Sequence, residues 1–327
     1  MEKILGIGNA LVDIMTRLEN DQILNDFDLP KGSMQLVDDD FANKLSVATE
    51  SLDKSQSSGG SAANTIHGLA RLGLPTGFIG KLGDDELGSF FRRDLETNKI
   101  TPQLLTSQNN SGRAIALISP DSERTFATCL GAAIEMGADD LTGDLFKGYH
   151  YLHIEGYLVQ NHELIIKAAQ LARSNGLKVS LDMASYNIVE ENLDFLEDFV
   201  EKYVDLVFAN EEEAKAFTGN DPLEALNKLA SFTGIAVVKT GKDGSMVQKG
   251  SEIWKIDPVK ASPVDTTGAG DAYAAGFLFG LASGFDLKQC GNLGSLMAGK
   301  VIEVVGAKMN DSQWKSIEKT IPEFSGN

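Results

Sequence analysis

The sequence predicts an α/β fold: a doubly wound, largely parallel sheet flanked by helices, with a small antiparallel β lid. Three observations carry that reading. Residues 149–240 alternate apolar strand-like runs with amphipathic helical stretches, the order that builds a parallel sheet with ligands at its strand C-terminal ends. The segments 31–37, 113–119 and 124–129 are short, alternating and punctuated by Pro and Gly, as in a small antiparallel sheet. A chain of 327 residues fits one large domain with a small appendage.

Taken in order, residues 3–9 open the chain as a strand. Segments of about 10–38 and 107–131 are inserted between α/β elements and form the lid of a single domain spanning 1–327. A sheet with one uncovered face suits a lid; extra edge strands on the main sheet are the alternative. Then follow a strand at 149–155, a helix at 162–175 and a buried strand at 178–183. A helix at 193–203 and a strand at 205–209 come next, followed by short helices at 211–218 and 223–231 and a strand at 235–240. Gly176 and the run Gly219-Asn220-Asp221-Pro222 stop helices. Helices near 270–282, 287–305 and 311–320 close the domain.

Composition narrows the function. Net charge is −18, with 47 acidic against 29 basic residues, which argues against nucleic acid as a partner. It leaves open a mononucleotide held by backbone N–H groups and a metal. Cys129 and Cys290 fit no metal or redox spacing, so both are expected as free thiols. The chain enters its first strand directly, and no apolar run reaches transmembrane length. A soluble, cytoplasmic protein without a membrane partner is expected.

The richest segment is Asp265-Thr266-Thr267-Gly268-Ala269-Gly270-Asp271, which leads into an apolar helix. Gly268, Ala269 and Gly270 leave backbone N–H groups unshielded at a helix N-terminus, which favours anions. Asp271 adds an acceptor-only side chain in the first turn. Phosphoryl transfer to an alcohol needs that pair: donors for the moving charge and a carboxylate to orient and deprotonate the hydroxyl. An acidic first turn capping a core helix would look the same. Two other phosphate motifs fail. Tyr273 stands where the dinucleotide fingerprint needs Gly or Ala, and no G-x-x-x-x-G-K-[ST] occurs.

Two stretches carry a family resemblance. Gly59-Gly60-Ser61-Ala62-Ala63-Asn64, continuing to Gly80-Lys81-Leu82-Gly83-Asp84-Asp85-Glu86-Leu87-Gly88, resembles the first signature of the ribokinase-like (PfkB) kinases. Residues 265–276 resemble the second. The resemblance covers essentially the whole chain. It implies the ribokinase-like fold, ATP as donor and transfer to a hydroxymethyl group. Gly8-Asn9-Ala10-Leu11-Val12-Asp13 is similar to the opening of the adenosine kinase branch. That likeness implies that Asn9 and Asp13 face a nucleoside, with Gly59, Gly60, Ser61 and Asn64 completing the ribose site. Ribokinases proper carry Lys where this chain has Ser61, which favours a nucleoside acceptor over a sugar.

The same resemblance implies further roles. In Ser122-Glu123-Arg124-Thr125, Arg124 would reach the transferring phosphoryl; an exposed lid charge is the alternative. Phe126, Tyr157 and Leu158 lie in segments that could clamp a base. In Asn210-Glu211-Glu212-Glu213, Asn210 lies near the phosphates and Glu213 organises Mg2+ through water; an ordinary capped helix is the alternative. Thr240 and Gly241 contact ATP, while Asp265 and Thr267 occupy positions where many relatives hold a monovalent cation, K+, with later carbonyls near Gly306. Nucleoside-specific relatives are often monomers and sugar-specific ones often homodimers through the lid. The expected activity is an ATP- and Mg2+-dependent kinase for the 5′-hydroxyl of a purine nucleoside, adenosine foremost. A sugar kinase of the same family and a non-catalytic nucleotide-binding protein are its rivals.

Overall fold

A computed structural model describes residues 2–121 and 123–324; Ser122 of the expected lid lies outside the described residues. The strands are β1 Ile4–Ile7, β2 Leu11–Arg17, β3 Met34–Leu36, β4 Lys54–Gly59, β5 Thr76–Gly83, β6 Ile100–Ser107 and β7 Gly112–Ile118. They continue with β8 Arg124–Cys129, β9 Tyr151–Glu155, β10 Lys178–Asp182, β11 Leu206–Asn210, β12 Ile235–Lys239, β13 Ser245–Lys249 and β14 Glu252–Ile256.

Nine strands form the main sheet in the order β14-β13-β12-β11-β10-β9-β1-β5-β6. Every pair from β12 to β6 is parallel, and only β12/β13 and β13/β14 are antiparallel. β1 is buried along its whole length. Ile4 packs into the core on one face, while Leu5 and Ile7 pack into the core on the other, as a period of two demands when both faces are covered. Gly6 lets the Ser61–Arg71 helix lie on β1, since a Cβ there would come within 2.4 Å of Ile66. From β1 the chain winds one way through β5 and β6 and the other way through β9 to β12. That reversal opens a crevice beyond β1 and β9.

The smaller sheet has the order β3-β8-β7-β2-β4 and is separate from the main one. Its segments are therefore not extra edge strands. β7/β8 and β2/β4 pair antiparallel, β2/β7 and β3/β8 parallel. A third small core, with Leu24, Leu45, Ile115 and Leu117, lies beneath it. β4, Lys-Ser-Gln-Ser-Ser-Gly, falls outside the segments expected for this sheet. It is polar throughout, so no apolar alternation announces it. The strand expected at 31–37 shortens to Met34–Leu36.

Candidate active site

The Ala269–Ala282 helix begins at Gly268, whose φ is +75°. A Cβ at that glycine would lie 2.6 Å from the Ala307 Cβ, so the turn requires glycine both for its conformation and for space. The N–H of Ala269 donates to the Thr266 carbonyl at 3.2 Å. Of the three expected anion donors, this one thus has an acceptor inside the turn. Asp271 follows, and here the two sequence signatures meet. Its Oδ1 accepts from Ser61 Oγ at 2.7 Å and its Oδ2 from Asn64 Nδ2 at 3.0 Å. Burial pushes the Asp271 carboxyl up to about 6, although the Ser61 and Asn64 hydrogen bonds pull it down. Oδ1 of Asn64 is buried without a partner among the described residues, an acceptor free for a ligand hydroxyl.

The acceptor side is built on glycines and one buried acid. Gly60 has φ +98°, and a Cβ there would strike the Asn9 carbonyl oxygen at 2.1 Å. A Cβ on Gly59 would lie 2.3 Å from Asp13 Oδ1, so the Asp13 carboxylate rests directly over that glycine. Burial pushes Asp13 up to about 7, with Lys308 opposing and Asp271 adding to the shift. Asn9 is held by Glu155, whose Oε1 accepts from Asn9 Nδ2 at 2.8 Å and whose Oε2 accepts from Ala62 N at 3.0 Å. Burial pushes Glu155 up to about 7. Glu155 ties the ends of β1 and β9 to the Gly59–Asn64 turn, and sequence reasoning missed it. The available signal was one acid ending a largely apolar strand, Tyr-Leu-His-Ile-Glu.

On the opposite side, Asn210 and Glu213 form a reciprocal cap. Glu213 N donates to Asn210 Oδ1, while Glu213 Oε2 and Oε1 accept from Asn210 N and Nδ2, at 2.7–2.8 Å throughout. The capped-helix alternative is thus present in the geometry. Glu213 is buried, and burial pushes it up to about 7. Among the described residues no three His, Cys, Asp or Glu side chains converge as a metal cage. Lys239 pairs with Asp182, and the charges of Asp182, Glu213 and Asp271 together raise its pKa, an acidic surplus that suits Mg2+ carried on phosphates and waters. Thr240 and Gly241 follow β12, with Gly241 exposed at φ +54° and nothing near its Cβ position. Lys239 opens the 239–244 stretch that the resemblance puts at the ATP phosphates, with Thr240 and Gly241 as the contacts, but the sequence reading gave Lys239 no role of its own. Its partner Asp182 is distant in the chain, and the two ammonium and carboxylate atoms stand 3.0 Å apart.

Arg124 is not the exposed lid charge of the alternative reading. Its guanidinium forms a close ion pair with Asp265, and both side chains are largely buried. Arg124 Nε has no partner among the described residues. Asp265 also accepts from Gly306 N at 2.6 Å, Thr267 N at 3.0 Å and Thr267 Oγ1 at 2.8 Å. The Asp265 carboxylate, expected at a K+ position, is thus paired here with the guanidinium. Of the expected base clamps, Leu158 is buried in the main core, while Tyr157 is exposed. Phe126 lines a cleft of about 320 Å³ with Arg124 and Thr267.

The chain is similar to known proteins in both sequence and fold. The profile of the pfkB family carbohydrate kinases matches residues 34–314. An adenosine kinase from Sinorhizobium meliloti superposes with a TM-score of 0.86 at 34% identity, covering 98% of this chain and 99% of that one. A probable sugar kinase from Rhizobium etli superposes equally, at 0.86 and 33% identity over 98% of both chains. A 5-dehydro-2-deoxygluconokinase from Clostridium perfringens is 29% identical over 75% of this chain and 78% of its own.

Proposed function

The chain belongs to the pfkB family of carbohydrate kinases, phosphotransferases that act on hydroxyl groups of sugars or nucleosides, and from that premise we propose that it phosphorylates the 5′-hydroxyl of a purine nucleoside, adenosine foremost. The observation that carries this reading is Asp271, held by Ser61 and Asn64 beside the Gly268–Gly270 turn. In this scheme the acceptor hydroxyl donates to Asp271 and attacks the γ-phosphorus of ATP in line. Asp271 takes the proton late, and the turn's N–H groups meet the developing charge. Asp13 and Asn9 bind the ribose hydroxyls over Gly59 and Gly60. Arg124 leaves Asp265 for the phosphoryl as the smaller sheet closes. Asn210 and Glu213 would hold Mg2+ through water, the ion supplying charge neutralisation at the phosphates, and Thr240 and Gly241 would contact the nucleotide. The protein works in this reading as a cytoplasmic monomer or homodimer.

Ser61 in place of lysine, the Asn9/Asp13 opening and the 34% identical adenosine kinase support a nucleoside. The sugar-kinase names of other relatives support a free sugar or sugar acid as the second reading. Mg·ATP-dependent ADP release across adenosine, inosine, guanosine, ribose, fructose and 5-dehydro-2-deoxygluconate separates them. A nucleoside preference is expected; a preference for any free sugar overturns the acceptor assignment and leaves Asp271 in place.

A further inference from the structure

We propose that Lys239 is a further catalytic residue, its ammonium held by Asp182 against the Gly268–Asp271 turn so that it contacts the phosphoryl group in flight. The proposal rests on assigning that turn to the phosphoryl, as above. Lys239 ends β12 and Asp182 ends β10, with β11 between them. Both side chains therefore converge at the C-terminal edge of the sheet, where α/β folds bind ligands. Lys239 Nζ donates to Asp182 Oδ2 at 3.0 Å. It also lies 3.1 Å from where a Cβ on Gly270 would stand, which puts the ammonium beside the third residue of the turn, at the helix N-terminus.

That position is a poor one for a purely structural cation. The helix dipole repels positive charge there, and a buried ion pair adds little stability over apolar residues of similar size. The pair is nonetheless tightly oriented. Asp182 Oδ1 accepts from Ala184 N at 3.0 Å, and Ala184 is a non-glycine residue at φ +64°, a conformation that costs about 1 kcal/mol or more and persists where the surroundings enforce it. Burial works against the charge on Lys239, but Asp182, Glu213 and Asp271 outweigh it and raise its pKa, so the residue stays cationic. A phosphoryl group arriving at the turn would find a fixed point charge with N–H groups to spare.

The step balances without redox change. The acceptor oxygen forms its bond to the γ-phosphorus, and the bond from that phosphorus to the bridging oxygen breaks with its electron pair going to ADP. The hydroxyl proton passes to Asp271 and then to solvent, while Lys239 keeps its own.

The test is the double variant Lys239→Met/Asp182→Asn, which removes both buried charges together. Turnover is expected to fall roughly 100-fold or more in a protein that keeps its circular dichroism and its affinity for Mg·ADP within a few-fold. Beryllofluoride should tighten ADP binding to the wild type, and calorimetry should show that tightening lost in the variant. Turnover within a few-fold of wild type, or tightening retained, would overturn the proposal. If the double variant does not fold, Lys239→Cys alkylated with bromoethylamine replaces it, Cys129 and Cys290 being buried. Regained turnover and tightening support the role, and a folded, alkylated protein lacking both refutes it. Asp271→Asn serves as the control. If it is as active as wild type, the turn's assignment falls; if it is inactive while the Lys239 double variant is active, only the Lys239 role falls.

Discussion

The loop before the Ala269–Ala282 helix and the first turn of that helix each carry one aspartate, and the two sit in opposite environments. At Asp265 burial works against ionisation, yet the N–H groups of Thr267 and Gly306, the Thr267 hydroxyl and Arg124 outweigh it and hold the carboxyl below its usual range. At Asp271 burial wins over two neutral donors, and the carboxyl rises to about 6. A carboxylate saturated with donors is a clasp, here joining β8 of the smaller sheet to the loop. One with a raised pKa retains proton affinity and suits a base. Two identical side chains, one in the loop and one in the helix it leads into, are thus separated by what surrounds them.

The strongest challenge to that contrast is Asp271→Asn. Turnover should drop by about 10³-fold or more, with acceptor affinity, read by calorimetry, within a few-fold. An equal loss of binding would make Asp271 a binding residue instead. In the wild type, kcat/KM should fall about tenfold per pH unit below pH 6, because protonation of the free enzyme removes the base. A flat profile between pH 5 and 7 would place the base elsewhere.

Asp265→Asn should act on stability. Losing the charge that Gly306, Thr267 and Arg124 address should cost about 1–3 kcal/mol at pH 7, measured by urea unfolding. The sign follows from its depressed pKa: this contribution is present above the unfolded value and disappears as the pH falls through the folded one. A smaller effect is expected from Gly59→Ala, whose methyl group would enter the space of the Asp13 carboxylate. KM for the acceptor should rise about tenfold, the cost of a displaced binding group being about 1.4 kcal/mol, with kcat changed less; a selective fall in kcat would detach Asp13 from binding. The smallest effect is on the stability of Asp271→Asn itself. A raised pKa gives stability present below the unfolded value and lost as pH rises through about 6. The variant should therefore gain about 1 kcal/mol relative to wild type between pH 5 and 7, in the direction opposite to Asp265→Asn.

Much of this was legible residue by residue. The apolar run of β1, the turn at 268–271 and the helix after it follow from local pattern, and Ser61 and Asn64 stand at the turn that the first signature marks. β4 was not legible, because Lys-Ser-Gln-Ser-Ser-Gly earns its place by pairing with β2 and by Gly59 lying under Asp13. Arg124 was legible as a cation but not as the partner of Asp265. Glu155 and Asp182 read as ordinary ends of strands, and Lys239 only as the start of a phosphate-binding stretch, until the sheet order put β9 to β12 side by side along one edge.

The sequence by itself determined the backbone of the site: which residues start a helix, where glycine permits a tight turn, and which acids and amides stand near it. Those are short-range matters of sterics, periodicity and capping, settled within a few residues. Only the tertiary structure decided which carboxylate is a clasp and which keeps proton affinity, and which cation faces the turn. Charge state depends on desolvation and on partners far along the chain, as with Asp182 and Lys239, 57 residues apart, and those distances close only when the strands take their order in the sheet.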